Sequence, residues 1–241
     1  MQRAIITGAS SGIGAAVARE MSRRGYALAL IARRADLLEQ LVRELPNSIA
    51  LPCDVTDSAA VHEAVKRAGE CDVAIANAGV GMMGWAAKSV ADAETMMRVN
   101  YFGMLYLFDA VIPSMIERRS GHFAGIASLA GLRGLPTASG YSASKAAIQA
   151  FLDSARAELA RFGIRVTTVN PGFIATAMTD KFTFKPPLMM HVDKAAKIIV
   201  NGIERGGRIV EFPWPTSIAV RLSRMLPAWM VDRVMSGYGR R

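Results

Sequence analysis

Cysteine is scarce in this chain of 241 residues, and the two present, Cys53 and Cys71, lie in apolar, strand-like stretches without CxxC or Cys/His spacing. That sets aside a disulfide framework and a zinc site and leaves two reduced core thiols. No basic stretch followed by an apolar one precedes Ile5-Ile6, which reads as a strand running straight into Gly8, so a cytoplasmic protein is expected. Long hydrophobic runs are missing as well. Tyr101 to Phe108 is stopped by Asp109, and later runs are shorter or carry arginine, so an integral membrane protein is not expected. No repeat of fixed period, low-complexity segment or Gly/Ser-rich linker divides the sequence. Acidic residues are in deficit, 20 against 29 Lys and Arg, for a net charge of +9. Residues 205–241 hold seven arginines against Glu211 and Asp232, a net of +5. Solvated arginine is the plain reading of that excess, and contact with an acidic surface is the other. Nucleic acid is not the expected partner, because no reading motif or groove-fitting element accompanies the charge.

What is present is a hydrophobic content of 51%, ample for the core of one domain. Short β-rich apolar runs near 3–7, 26–31, 48–53, 72–76, 121–126, 164–170 and 208–212 alternate with longer amphipathic stretches. Such alternation predicts βαβ units: an α/β fold with a doubly wound parallel sheet, helices on both faces in three layers, and ligands at the carboxyl ends of the strands. Residues 1–212 form that domain, and the compositional break near Pro213-Trp-Pro215 opens a short helical extension over 213–241.

At the first strand end stands Gly8-Ala-Ser10-Ser11-Gly12-Ile13-Gly14. A strand turns into a helix there, and glycines let the backbone approach a pyrophosphate that faces the helix amino terminus. The spacing is GxxxGxG and not the commoner GxGxxG. The end of the second strand, where an acid would hold the ribose of NAD, offers Ala32 and then Arg33 and Arg34. A guanidinium can pair with the extra 2′-phosphate, so NADP is preferred and NAD remains possible. Asp54, followed by Val55, could accept from an adenine amino group, with Asp57 the more natural cap of the next helix.

Further along, Ser128 stands thirteen residues before Tyr141, and Tyr141-x-x-x-Lys145 returns to one helix face. Hydride arriving at a carbonyl carbon leaves a developing alkoxide, which requires a proton donor and a group that polarises the oxygen beforehand. Tyr141 suits the first task and Ser128 the second. A free phenol titrates near pH 10, and an ammonium about 4 Å away at an effective dielectric near 20 is worth roughly 4 kcal/mol, or about 3 pKa units. Lys145 is expected to acidify Tyr141 in this way.

Thr7-Gly-x-x-x-Gly-x-Gly14, Asn77-Ala78-Gly79, Asn100, Ser128, Tyr141-x-x-x-Lys145 and Pro171-Gly172 together resemble the short-chain dehydrogenase/reductase family in its single-domain form. The likeness covers residues 3 to about 212 and departs at Ala76, where the family usually has asparagine. It implies a Rossmann-type fold, a nicotinamide cofactor and interconversion of a carbonyl and a secondary alcohol. It also implies that Tyr141 and Lys145 touch the cofactor, Lys145 through the ribose hydroxyls. Asn100 would link the lysine to solvent through a water, and Ile174 and Thr176, after Pro171-Gly172, would contact the carboxamide.

The loops expected around the nicotinamide are Met82-Met83-Gly84-Trp85, Leu129 to Leu135, and Phe173 to Met190 with Met178, Phe182, Phe184, Leu188, Met189 and Met190. Methionine and phenylalanine there suggest an adaptable pocket for a lipophilic ketone or alcohol; packing against one another or a partner subunit is the alternative. In the tail, Ile218, Leu222, Met225, Leu226, Trp229 and Met230 recur at near-helical spacing, and Pro227 divides two short helices. Packing of this tail on protein is favoured over peripheral membrane contact. Helices near 100–118 and 139–162 resemble those through which the family pairs subunits, so a homodimer or homotetramer is expected. A protein that binds NADP(H) only as a sensor is the competing functional class, and the intact Ser128, Tyr141 and Lys145 argue against it.

Overall fold

The computed structural model describes residues 1–179 and 188–236. Seven strands form one parallel sheet in the order β3-β2-β1-β4-β5-β6-β7. They are β1 Arg3–Thr7, β2 Ala27–Ala32, β3 Ser48–Pro52, β4 Val73–Ala76, β5 Gly121–Ile126, β6 Ile164–Pro171 and β7 Ile209–Phe212. All seven lie within a residue or two of the predicted runs. Alternate residues of each strand face opposite layers, and both layers are covered, which is why the strands read as continuous apolar stretches. In β1, Ala4 and Ile6 belong to one core and Ile5 to the other.

The first core lies under α1 (Gly12–Arg23), α2 (Ala35–Glu44) and α7 (Val192–Glu204). Alanines 15, 16 and 18 of α1 let that helix sit close to the sheet. The second core lies under α3 (Ser58–Ala68), α5 (Gly103–Arg118) and α6 (Ser139–Leu159). Asp57 caps α3, its carboxylate accepting from Ala60 N at 3.0 Å, as expected. Cys53 and Cys71 are buried free thiols, and burial pushes Cys71 up to about 12.

One expectation is corrected. α4 (Val90–Met96) runs through a π-helical turn, Met97–Phe102, into α5 as a single helix of 29 residues, and an 18-residue window of it has mean hydropathy 1.3. It is long and apolar enough to cross a membrane, a property hidden from a reading of uninterrupted runs because Asp109 stands within it. In this fold Met104, Leu107, Val111 and Met115 of that helix bury against the sheet. The strand order reverses between β1 and β4, the switch point at which folds of this kind place their ligand cleft, beyond the carboxyl ends of the strands. The tail forms α8 (Trp214–Ser223) and α9 (Ala228–Met235), starting from that same edge.

Candidate active site

The turn from β1 into α1 is tied to the end of β4. Thr7 is buried, and its hydroxyl accepts from Asn77 N at 3.0 Å and Ala78 N at 3.1 Å, while Asn77 Nδ2 donates to Thr7 O at 3.0 Å and Gly8 O at 3.2 Å. Ala76, the departure from the family pattern, is simply the buried last residue of β4. A side chain at Gly14 would meet Gly8 O at 2.3 Å, so only glycine allows the helix to start this close to the turn. Gly12 adopts φ +56°, and a Cβ there would stand in the opening, 3.5 Å from Thr176 Cγ2.

This cradle fits a dinucleotide phosphate. Ser11, the residue before α1, gives that helix no side-chain cap, and its first turn holds no acid, so the amino-terminal N–H groups and the positive end of the dipole are left without a carboxylate from the helix itself. Arg34 donates to Ser10 Oγ at 3.0 Å and to Ser11 Oγ at 2.6 Å, which lays a guanidinium on the turn. Arg33 is exposed, with Nη1 3.9 Å from Asp54 Oδ2. Asp54 is less available than expected, because its Oδ1 accepts from Thr56 N and Thr56 Oγ1, both at 2.9 Å. Val55 and Ile174 are buried in the core, and Ile13 packs against it. The side chains of Val55 and Ile174 therefore support the cleft from beneath.

The expected catalytic residues converge at the carboxyl end of β5 and the first turns of α6. Ser128 is buried, its hydroxyl accepts from Ala130 N at 3.1 Å, and it stands near enough to the Tyr141 phenol to draw its pKa down. Lys145 is 4% exposed, donates from Nζ to Ile126 O at 2.7 Å and lies 5.8 Å from the Tyr141 ring centroid. Asn100 stands in the π-helical turn, fully buried, and Oδ1 accepts from Val80 N at 2.7 Å. Its Nδ2 donates to Val80 O at 3.0 Å and to Ser144 Oγ at 2.9 Å. A Cβ on Gly79 would stand 3.3 Å from Asn100 Oδ1 and 3.5 Å from Lys145 Nζ, so the glycine keeps open the space that the two groups share.

Burial pushes the Tyr141 phenol up from its ordinary value, with the Ser128 hydroxyl acting in the opposite direction. Burial pushes the Lys145 ammonium down to about 8. The expected acidification of the phenol by Lys145 is therefore not seen in the resting site, where burial raises the phenol and the Ser128 hydroxyl alone draws it down.

Sequence reasoning missed the support beneath Ser128. Gln149 Nε2 donates to Ser128 O and to Asn170 Oδ1, both at 2.8 Å, and Asn170 Nδ2 donates to Glu211 Oε1 at 3.0 Å. The available signal was helical spacing, since Gln149 follows Lys145 by four residues and Tyr141 by eight. Pro171 O accepts from Ser128 Oγ at 3.4 Å, and Gly172 N donates to Phe212 O at 2.7 Å. Thr176 N donates to Thr179 Oγ1 at 3.0 Å, holding the segment over the glycine-rich turn.

The rim is apolar. Met178 Sδ would lie 3.1 Å from a Cβ on Gly81, and the Tyr141 ring 3.5 Å from the same point. Met83, Trp85, Leu188 and Met189 are exposed around it, and Gly84 N donates to Thr137 O at 2.8 Å, joining two of the loops. Phe182 and Phe184 lie outside the described residues.

The family model described as short chain dehydrogenase matches residues 2–186. An uncharacterised oxidoreductase of Myxococcus xanthus (strain DK1622) is 35% identical over 238 residues, 95% of this chain and 94% of the relative. Dehydrogenase/reductase SDR family member 7B of Mus musculus is 38% identical over 188 residues, 73% of this chain, but the alignment spans 58% of that longer protein. Among solved structures, a short-chain dehydrogenase from Sphingobium yanoikuyae in complex with NADPH is 28% identical with a TM-score of 0.83, covering 93% of this chain and 95% of that one. A short chain dehydrogenase from Burkholderia cenocepacia J2315 in complex with NADP is 27% identical with a TM-score of 0.86, covering 98% and 99%. A Burkholderia phymatum protein in complex with NAD, 23% identical with a TM-score of 0.84 and 92% of each chain covered, is a likeness of fold alone.

Proposed function

The chain belongs to the short-chain dehydrogenase family of oxidoreductases, and on that premise we propose that it interconverts a lipophilic ketone and its secondary alcohol with NADP(H) as the preferred coenzyme. The observation that carries the reading is the convergence of Ser128, Tyr141 and Lys145 beside an uncapped helix terminus that fits a pyrophosphate. A bound nicotinamide supplies the hydride. Ser128 donates to the carbonyl oxygen and holds it, and Tyr141 delivers a proton to the same oxygen as charge develops there. Below about pH 8 Lys145 is an ammonium, 5.8 Å from the ring centroid. Its positive charge favours a phenolate and so works against the burial that holds the phenol protonated. Arg34 on the Ser10-Ser11 turn, with Arg33 beside it, supports the choice of NADP over NAD. The exposed methionine and tryptophan side chains of the rim support an apolar substrate. Subunit pairing through α5 and α6 belongs to the same proposal, by likeness to the family.

A panel of ketones and alcohols, scored by NADPH and NADH absorbance, tests the reading with Tyr141→Phe as the control. NADPH turnover of apolar ketones is expected, and Tyr141→Phe should lower kcat/KM by about a thousandfold while the thermal shift given by NADPH is kept. A variant that turns over normally would sink the assignment of Tyr141 as the proton donor. Coenzyme binding without turnover of any panel member by the unmodified protein would favour a sensor.

A further inference from the structure

α8 is seated with its small and polar side inward. Glu211, the third residue of β7, has a largely buried carboxylate that accepts from Ser217 Oγ at 2.5 Å, Arg221 Nε at 2.8 Å and Asn170 Nδ2 at 3.0 Å. Ser217 is buried, Val220 and Ser223 are half-buried, and Ser223 O accepts from Arg133 at 3.4 Å. The large apolar side chains are left outside. Trp214, Ile218 and Leu222 recur every four residues as one exposed stripe, and Met225 and Trp229 continue it at 81% and 68% exposure. An ordinary surface helix buries such a stripe, whereas the Glu211 clamp fixes this one facing away from the protein.

Charge decides what covers it. No acidic residue lies between Glu211 and Asp232, and among the described residues Arg224 and Arg233 are exposed and make no ion pair. A second copy docked through this patch would gather two sets of these arginines in one contact, because a two-fold contact presents the same surface from both sides. Exposed tryptophans with free arginines suit a surface that is apolar beneath and anionic on top. We propose that α8 and α9 form a docking surface for an anionic lipid bilayer, with Trp214, Leu222, Met225 and Trp229 entering the interface and Arg224 and Arg233 meeting the headgroups. The stripe starts at the same carboxyl edge of the sheet as the cleft. The tail alone supplies this surface, whatever reaction the site performs.

Flotation of the full-length chain with vesicles of phosphatidylcholine and phosphatidylglycerol in equal amounts tests it. The protein is expected to rise with these vesicles, and the bound fraction to fall about tenfold on pure phosphatidylcholine or in high salt. Leu222→Glu with Trp229→Glu should abolish flotation with the melting temperature unchanged, since both side chains are exposed. Arg224→Glu with Arg233→Glu should weaken it to the level seen on the neutral vesicles. Protein that stays at the bottom with anionic vesicles overturns the proposal, as does an acidic double variant that floats like the parent. So does light scattering in which Leu222→Glu with Trp229→Glu splits a dimer into monomers, which would assign the stripe to contact between copies.

Discussion

Lys145 carries its ammonium into a place where only 4% of the residue is exposed and one carbonyl, Ile126 O, accepts from it at 2.7 Å. Its value near 8 lies below the ordinary 10.5, so between those two pH values the unfolded chain holds a proton that the folded chain has released. Stability therefore rises with pH across that window, and below about pH 8 the fold bears the whole cost, about 3 kcal/mol. Replacing the lysine by an isosteric apolar residue removes this cost and forfeits a hydrogen bond worth about 1 kcal/mol. Lys145→Met is accordingly expected to raise the urea midpoint of the coenzyme-free protein at pH 7 by the equivalent of about 2 kcal/mol, with the advantage gone toward pH 10. Loss of stability at pH 7 would show that the ammonium is better solvated than the geometry implies. The same charge that weakens the resting fold is the one the proposed chemistry needs beside the phenol, a trade expected of a working site.

The turn after Ser128 shows how one element sets the geometry of another. Leu129–Gly131 lies directly on α6, and a Cβ at Gly131 would stand 2.7 Å from Lys145 C and 2.9 Å from Ala146 N. Those are helix backbone atoms with no freedom to yield, so Gly131→Ala must move the turn, and Ser128 with it. Such overpacking costs about 1–3 kcal/mol, and the displaced serine should lower kcat about tenfold or more with the affinity for NADPH little changed, measured by steady-state kinetics and coenzyme titration. Parent-like kcat would mean that the turn does not position Ser128. The elements themselves were legible because both faces of the inner strands are covered, so those strands announced themselves as apolar runs. Helical spacing likewise brought Tyr141 and Lys145 to one face. Three features were not legible. The π-helical turn that joins α4 to α5 and buries Asn100 depends on the contact of that side chain with Val80, twenty residues away. The chain from Ser128 through Gln149 and Asn170 to Glu211 joins four elements distant in sequence. The outward stripe of α8 has the same spacing as an inward one, and only the carboxylate of Glu211 decides which way it faces.

At the scale of the whole molecule, the end of the sheet opposite the cleft governs the response to acid. His122 begins the buried run of β5 with 1% exposure, and burial together with the charge of Arg165 pushes it down to about 4. The hydrogen bonds explain why it resists protonation. Thr167 Oγ1 donates to Gly207 O at 2.5 Å, so it must accept from His122 Nε2 at 2.7 Å, which leaves the Nδ1 acceptor without a partner among the described residues. A proton added at Nδ1 would become a buried donor with nothing to receive it. Because the folded value lies below the ordinary 6.5, the unfolded chain takes up this proton first, and stability is complete above pH 6.5 and lost as the pH falls toward 4. The loss amounts to about 3 kcal/mol, or on the order of 10 °C in midpoint for a chain of this size. His122→Gln keeps a donor for Thr167 and has nothing to titrate, while every other basic and acidic group stays the same. Its melting temperature, followed by circular dichroism from pH 7 to pH 4.5, should fall less than that of the parent by most of that amount. Equal falls in the two proteins would assign the acid sensitivity to the general repulsion of a chain with net charge +9 instead of to this one ring.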